Sequence, residues 1–313
     1  MIQRDLLELT LWRAPGFLVY GGPGLKKTLG IHTLPPPIKA WETEGGSGPL
    51  LPWVRTTRQY NESKERVVSQ ELREQAFGMI SDKNMDFVRE HTRIKPGPYI
   101  DLVTFDALDP AAYDILFQEI THFDVHKYNS AAVDSLHEFS KQIQSFSKRQ
   151  KWGDGGQLEP MEVNIWQPVQ ERTGILLRKL KNYRDQGVVV YMTSSEQIDK
   201  DYVKDPRESK KPGEFPQEPY SVKGTVNMPG KMPNDIQHLI DVMFHAKPVN
   251  GEATWVSAQE PLPGGAAHWE AKDRFGRLKT SYHIPNFRKI FDQIYGEDIR
   301  AKIYASGAPL LQQ

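Results

Sequence analysis

The chain has 313 residues, 38% of them apolar, with 40 Lys and Arg against 40 Asp and Glu. That length suits one large α/β domain or two small ones. The charge balance excludes a global field drawing the chain to nucleic acid or membrane, so any such surface must be a local patch. Cysteine is absent, which excludes disulfides, thiolate chemistry and cysteine-based metal sites.

No apolar run approaches ~20 residues, and the charged N-terminus lacks the apolar core of a signal peptide. A soluble, cytoplasmic chain with no membrane partner is expected.

In chain order, Phe17–Tyr20 reads as a first buried strand, followed by Gly21-Gly22-Pro23-Gly24-Leu25-Lys26-Lys27-Thr28. A buried strand, a Gly-rich turn and a Lys-Thr pair opening a helix form the layout of a phosphate-binding P-loop. Backbone N–H groups would close around phosphate oxygens, helped by the helix N-terminus. Lys27 would reach the terminal phosphates and Thr28 would bind Mg²⁺ through its hydroxyl. The usual pattern has Gly before the Lys, and here it is Lys26, whose side chain strains the loop or crowds the phosphates. An ordinary Gly-rich turn is the competing reading.

Pro35-Pro36-Pro37 must end the first helix early. Ile38–Trp41 reads as a strand ending at Glu42-Thr43-Glu44-Gly45-Gly46. Arg58 to Lys95 mixes charges with spaced apolar residues and reads as one or two amphipathic helices, a helical insertion over 56–98. Tyr99–Phe105 is strand-like, and Asp109-Pro110 starts a helix through Ile120. Ala131–Val133 is a short strand ending at Asp134-Ser135. A loop around Trp152–Gly156 precedes a helix over Pro160–Arg184.

Val188–Thr193 is the strongest strand, with the continuous apolar character of a central position. Residues 197–233, rich in Pro, Gly and charge, read as a long exposed loop. Strands at Leu239–Ala246, Ala253–Ala258 and His268–Ala271 and a helix over Pro285–Tyr295 complete the chain. The expected fold is a single α/β domain over 1–313, a mostly parallel central sheet with a β-rich antiparallel C-terminal extension.

A P-loop fold needs a strand-end acid to hold Mg²⁺. Asp134 and Asp106 both qualify, and Asp134 is preferred because a helical stretch and another apolar strand follow it. His122 and His126 sit at i,i+4 without a third ligand and read as a helix end rather than a metal site.

Several segments, in order, resemble the RecA-like P-loop ATPase core, most closely the phage-encoded Sak-type single-strand annealing and recombination ATPases. GFLVYGGPGLKKT resembles their phosphate loop, AWETEGG the strand that carries the catalytic glutamate, and SAAVDSL the Mg²⁺-aspartate strand. VVVYMTSSEQ resembles the strand ending in a γ-phosphate sensor, and WEAKDRFG the segment that supplies fingers acting in trans.

The resemblance spans roughly 16–276 and implies ATP and Mg²⁺ as ligands and an oligomer, ring or filament, on single-stranded DNA. A single-strand DNA-binding protein is a further partner it admits. It makes Glu44 the group that polarises the attacking water, with Glu42 as the nearby alternative. Thr193, Ser194, Ser195 and Gln197 become candidate γ-phosphate sensors. Lys272 and Arg274 become fingers planted on a neighbour's nucleotide.

DNA would meet the segments 149–157 and 197–233. Arg149, Lys151 and Trp152 lie in the first, with a basic pair beside an aromatic that can stack on a base. Lys204, Arg207, Lys210 and Lys211 lie in the second, which also carries acids. A hexameric helicase-like motor and a non-hydrolysing nucleotide-binding protein are the rival readings.

Overall fold

In the computed structural model, the described residues are 14–80, 85, 97–106, 109, 111–152, 163–201, 221–228, 232–261, 268–283 and 286–305. The core strands in chain order are β1 (Gly16–Gly21), β2 (Ile38–Glu42), β3 (Val54–Gln59) and β4 (Arg66–Val67), then β5 (Ile100–Thr104), β6 (Ser130–Asp134) and β7 (Val189–Ser194). β8 (Glu196–Asp201) and β9 (Ser221–Val226) precede β10 (Val242–Val249) and β11 (Glu252–Val256). Short strands β12 (Glu260–Pro261), β13 (His268–Trp269), β14 (Lys272–Asp273) and β15 (Ser281–His283) follow. The helices are α1 (Lys27–Gly30), α2 (Gln70–Gly78), α3 (Ala111–Thr121), α4 (Leu136–Trp152), α5 (Val163–Asp185), α6 (Met232–Leu239), α7 (Phe287–Tyr295) and α8 (Glu297–Ala305).

The main sheet runs β15-β11-β10-β1-β7-β6-β2-β5-β3-β4, with β14 also on β10. Its centre, from β10 through β1, β7, β6, β2 and β5 to β3, is parallel throughout. β11, β14 and β15 extend it antiparallel at the C-terminal side. This is the mixed α/β architecture predicted from the sequence.

The strands of the centre are apolar on both faces because helices cover both. One layer packs Phe17, Val19, Tyr191, Phe244 and Trp255 against Phe287 and Phe291 of α7. The other packs Leu18, Val133, Val190 and Met243 against Phe139 of α4 and Leu177 and Leu180 of α5. Asn286 caps α7 by accepting from Arg288 N at 2.8 Å, and Asp109 accepts from Ala111 N at 2.9 Å to start α3.

Three expectations fail locally. The predicted helical insertion opens with β3 and β4 at the sheet edge, and helix occupies only Gln70–Gly78 within 56–80. β3 lies next to the edge strand β4 and is mostly half-buried, and its sequence VRTTRQ is polar at every position but Val54, so it carries no alternating apolar signal. The predicted loop 197–233 contains two strands, β8 and β9, which pair antiparallel from Glu196↔Val226 to Asp201↔Ser221, and its last two residues, Met232 and Pro233, open α6. With β12 and β13, strands β8 and β9 form a second sheet, ordered β12-β13-β9-β8. The predicted strand from Leu239 begins only at Val242, because Leu239 still closes α6. Among the described residues no helix is long and apolar enough to cross a membrane.

Candidate functional site

Parallel strands deliver their C-terminal ends, and the side chains on them, to one edge of the sheet. At that edge the turn after β1 meets the ends of β7, β6 and β2, with β7 lying between β1 and β6. The P-loop segment, Gly21 to Thr28, occupies this position. Gly21 stands so close to β10 that a Cβ on it would lie 2.2 Å from Ala246 O, so a side chain is excluded. Lys26 has φ 62°, the left-handed conformation that glycine adopts without penalty and an L-residue does not.

The loop is braced from beneath by two buried aromatics. Tyr191 on β7 donates its hydroxyl to Lys27 O at 2.7 Å, and Trp255 on β11 donates its indole N–H to Leu25 O at 3.1 Å. Neither brace was singled out in the sequence. Each lies more than a hundred residues from the loop it supports, and each looks locally like core packing.

Lys27 folds back over the loop. Its Nζ donates to Gly21 O at 2.9 Å and Gly22 O at 2.6 Å. Burial lowers its pKa, while the nearby charges of Asp134, Glu44 and Glu196 oppose that shift. The ammonium is thus held by loop carbonyls with carboxylates nearby, and among the described residues none of these carboxylates forms an ion pair with it.

Thr28 Oγ1 donates to Asp134 Oδ2 at 2.5 Å, and Thr193 donates to Asp134 Oδ1. Asp134 is fully buried, and burial pushes its pKa up against the pull of these two hydroxyls. Asp106, the competing acid, is exposed beyond the end of β5, with β2 lying between β5 and β6. The carboxylate that meets Thr28 is therefore that of Asp134. Its oxygens and the Thr28 hydroxyl are a hard donor set of the kind Mg²⁺ takes, which fits that ion.

Glu42 and Glu44 separate cleanly. Glu42 is buried and accepts from Glu44 N and Gly46 N, both at 2.8 Å, and burial raises its pKa. It shapes its own turn. Glu44 is exposed, and its Oε1 accepts from the hydroxyl of Ser135, the residue after Asp134. Thr43 ties the same turn to β6 by accepting from Ser135 N at 3.0 Å. A Cβ on Gly46 would come within 3.9 Å of Thr28 Oγ1, so this turn borders the P-loop directly. Ser135 and Thr43 were missed in the sequence because short polar residues after a strand also read as simple caps.

Of the other sensor candidates, Ser194 donates to Asn227 O at 3.2 Å and Gln197 lies on β8 opposite Thr225. The proposed fingers do not reach this site. Lys272 Nζ donates to Gln237 O and to Ile240 O, and Arg274 Nη1 pairs with Asp241 at 2.9 Å. They lie beside the start of β10, at the opposite edge of the sheet from the P-loop of the same chain.

Of the DNA candidates, Arg149 and Lys151 are exposed on the last turn of α4, which is helix where a loop was predicted. Trp152 ends that helix, and its side chain lies outside what is described, as do residues 153–157 and Lys204, Arg207, Lys210 and Lys211.

No protein-family model matches the chain, and no curated protein matches it. Among solved structures it is similar to a KaiC-like protein from the hyperthermophilic archaeon Pyrococcus horikoshii OT3. The two are 12% identical, with a TM-score of 0.30, over 82% of this chain and 91% of that one.

Proposed function

We propose that the chain is a RecA-like ATPase that binds ATP with Mg²⁺ and hydrolyses it. The observation that carries this reading is the convergence at one strand edge of Lys27, Thr28, Asp134 and Glu44, joined through the Thr28–Asp134 and Ser135–Glu44 hydrogen bonds. Lys27 releases the carbonyls of Gly21 and Gly22 and turns its ammonium to the terminal phosphates. Thr28 and Asp134 would hold Mg²⁺, which when bound offsets the negative charge of the β- and γ-phosphate oxygens. Glu44, fixed by Ser135, orients a water and takes its proton as the water oxygen bonds to the γ-phosphorus. The bond to the β,γ-bridging oxygen breaks, and ADP leaves with that electron pair.

Beyond hydrolysis, the proposed work is recombination or annealing of phage DNA by an oligomer on single-stranded DNA. Lys272 and Arg274 would complete a neighbour's site. Support for this part is the motif order in the sequence and the position of both residues away from their own P-loop. A second reading, nucleotide held without turnover, draws on the left-handed Lys26.

Phosphate release with and without single-stranded DNA tests both. Wild type should release phosphate, faster with DNA. Glu44→Gln should keep ATP binding and lose roughly ten- to ten-thousandfold in rate. A wild type that binds ATP and releases none supports the second reading. Equal rates for wild type and Glu44→Gln would remove Glu44 from the mechanism.

A further inference from the structure

α1 is a single turn, too short to hold all the carbonyls around it. In a continuing α-helix the Ile31 N–H would bond to Lys27 O. Here Ile31 opens a 3-10 turn, and its N–H goes to Thr28 O and Leu29 O instead. Leu25 precedes the N-cap residue Lys26, so its carbonyl lies outside the helical ladder. Buried carbonyls need donors. Tyr191 supplies one to Lys27 O and Trp255 one to Leu25 O.

We propose that Tyr191 and Trp255 are positioning residues for phosphate: by holding the Lys27 and Leu25 carbonyls beneath the loop, they aim the Thr28 and Lys26 N–H groups at the bound triphosphate. The proposal rests on the nucleotide reading above and deepens it, by naming what fixes the donors of the loop.

The aim follows from the peptide unit itself. It is planar, and in the trans form its C=O and N–H point in opposite directions. The cis bonds among the described residues are Pro36-Pro37 and Asp134-Ser135, so the 25–26 and 27–28 peptides are both trans. Each carbonyl held toward the core therefore turns the N–H of the next residue toward the outer side of the loop. Lys26, left-handed at φ 62°, lies between the two pinned carbonyls. Successive N–H groups at such a change of backbone hand form an anion-binding concavity.

The two rings are held in place. Tyr191 and Trp255 are buried and stack at 6.3 Å and 19°. Both meet Phe287 of α7 edge-on, at 5.1 Å and 75° for Tyr191 and at 5.6 Å and 62° for Trp255. Gly30 makes room for them, since a Cβ on it would lie 2.7 Å from Trp255 Cη2 and 3.5 Å from the Tyr191 hydroxyl oxygen. Burial raises the pKa of Tyr191 well above that of a free phenol, so the hydroxyl keeps its proton and stays a donor. A phenylalanine ring would serve packing alone. The hydroxyl is the part that reaches the loop.

The test titrates ATP and inorganic triphosphate, each with Mg²⁺, into wild type, Tyr191→Phe, Trp255→Phe and Tyr183→Phe by calorimetry. Tyr183 is the control, because its buried hydroxyl also donates to a backbone carbonyl, that of Ile120, in the other core layer. Tyr191→Phe should weaken both ligands roughly three- to tenfold, the scale of one net hydrogen bond. Tyr183→Phe should lose comparable stability in a urea melt and bind both ligands as wild type does. In protein labelled for amide NMR, triphosphate should shift the Thr28 and Lys26 resonances. Tyr191→Phe should shrink the Thr28 shift, and Trp255→Phe the Lys26 shift.

If Tyr191→Phe binds both ligands as wild type does, or Tyr183→Phe weakens them as much, the aiming role is overturned while nucleotide binding stands. Equal Thr28 shifts in wild type and Tyr191→Phe would overturn it as well. If neither ligand binds wild type, the nucleotide reading falls and this proposal falls with it.

Discussion

Asp134 and Asp241 sit at opposite edges of the same parallel sheet, each nearly sealed from solvent, and their carboxylates are satisfied in opposite ways. Asp241 accepts from Arg184 Nη1 at 2.8 Å and Gly16 N at 3.0 Å through one oxygen, and from Arg274 Nη1 at 2.9 Å through the other. Its charge is balanced inside the chain. Asp134 accepts from two neutral hydroxyls, and among the described residues no basic group forms an ion pair with it. The nearest candidate, the Lys27 ammonium, is bonded to backbone carbonyls instead. One acid closes a structural joint. The other carries an unbalanced charge that a cation from outside can meet.

The largest expected effect breaks the structural joint. Asp241→Asn leaves the Arg184 guanidinium, 1% exposed, without its carboxylate. Removing one partner of a buried pair costs about 3–5 kcal/mol. A urea melt should show that loss, with a lowered midpoint. Asp134→Asn should show none of it. An equally large loss in Asp134→Asn would mean that both acids are structural.

Asp134 also sets a pH dependence of opposite signs for folding and for binding. Its native pKa is raised, so the folded state binds this proton more tightly than the unfolded state does. Ionising it therefore costs stability, and its contribution to stability falls as pH rises from the ordinary aspartate range through the raised native value. Mg²⁺-dependent ATP affinity needs the charged form and should rise over the same window. Asp134→Asn should flatten both curves relative to wild type, as read by melting temperature and by calorimetry. If the two proteins differ by the same amount at every pH, the titration belongs to another group.

Next in size is Lys27→Ala, which removes the charge facing the terminal phosphates and should weaken ATP by on the order of 2 kcal/mol. Equal ATP affinity in both proteins would reject the phosphate loop. Lys26→Gly should act in the other direction and more weakly. The left-handed backbone at Lys26 costs about 1–2 kcal/mol that glycine avoids. Part of that is offset by the unfolded-state freedom glycine adds. A gain of up to about 1 kcal/mol in stability, with turnover held or raised, is expected. Loss of ATP binding in this variant would instead make the Lys26 side chain a phosphate ligand.

What was legible in the sequence follows the same division. The edge proposed as the site is written in short local motifs. Gly21–Thr28, Glu42–Gly46 and Asp134-Ser135 each end a strand with residue types suited to phosphate or metal, so each is visible without the fold. The closed joint is not. Gly16 and Asp241 are 225 positions apart, and Arg184 reads as an ordinary basic end of a helix. Glu196, His245 and Trp269 likewise meet from three separate strands. Strand β3 and the ribbon of β8 and β9 were lost for another reason. β3 and β8 are polar at all but one position each, so neither shows the period of two that marks a half-buried strand.

The smallest expected effect on stability decides the fate of the proposed finger. Arg274 is 40% exposed and shares Asp241 with Arg184, so Arg274→Ala should cost less than about 1 kcal/mol. The guanidinium can thus leave Asp241 cheaply, while Asp241 keeps Arg184 and Gly16 N. It lies at the wrong edge of the sheet to serve its own P-loop, so any catalytic role must be across a subunit boundary. Arg274→Ala should then bind ATP nearly normally and hydrolyse it poorly. Mixing it with Lys27→Ala should restore part of the activity, because some interfaces will join an intact P-loop to an intact Arg274. If the mixture gains nothing under conditions where subunits exchange, Arg274 is a partner of Asp241 and nothing more.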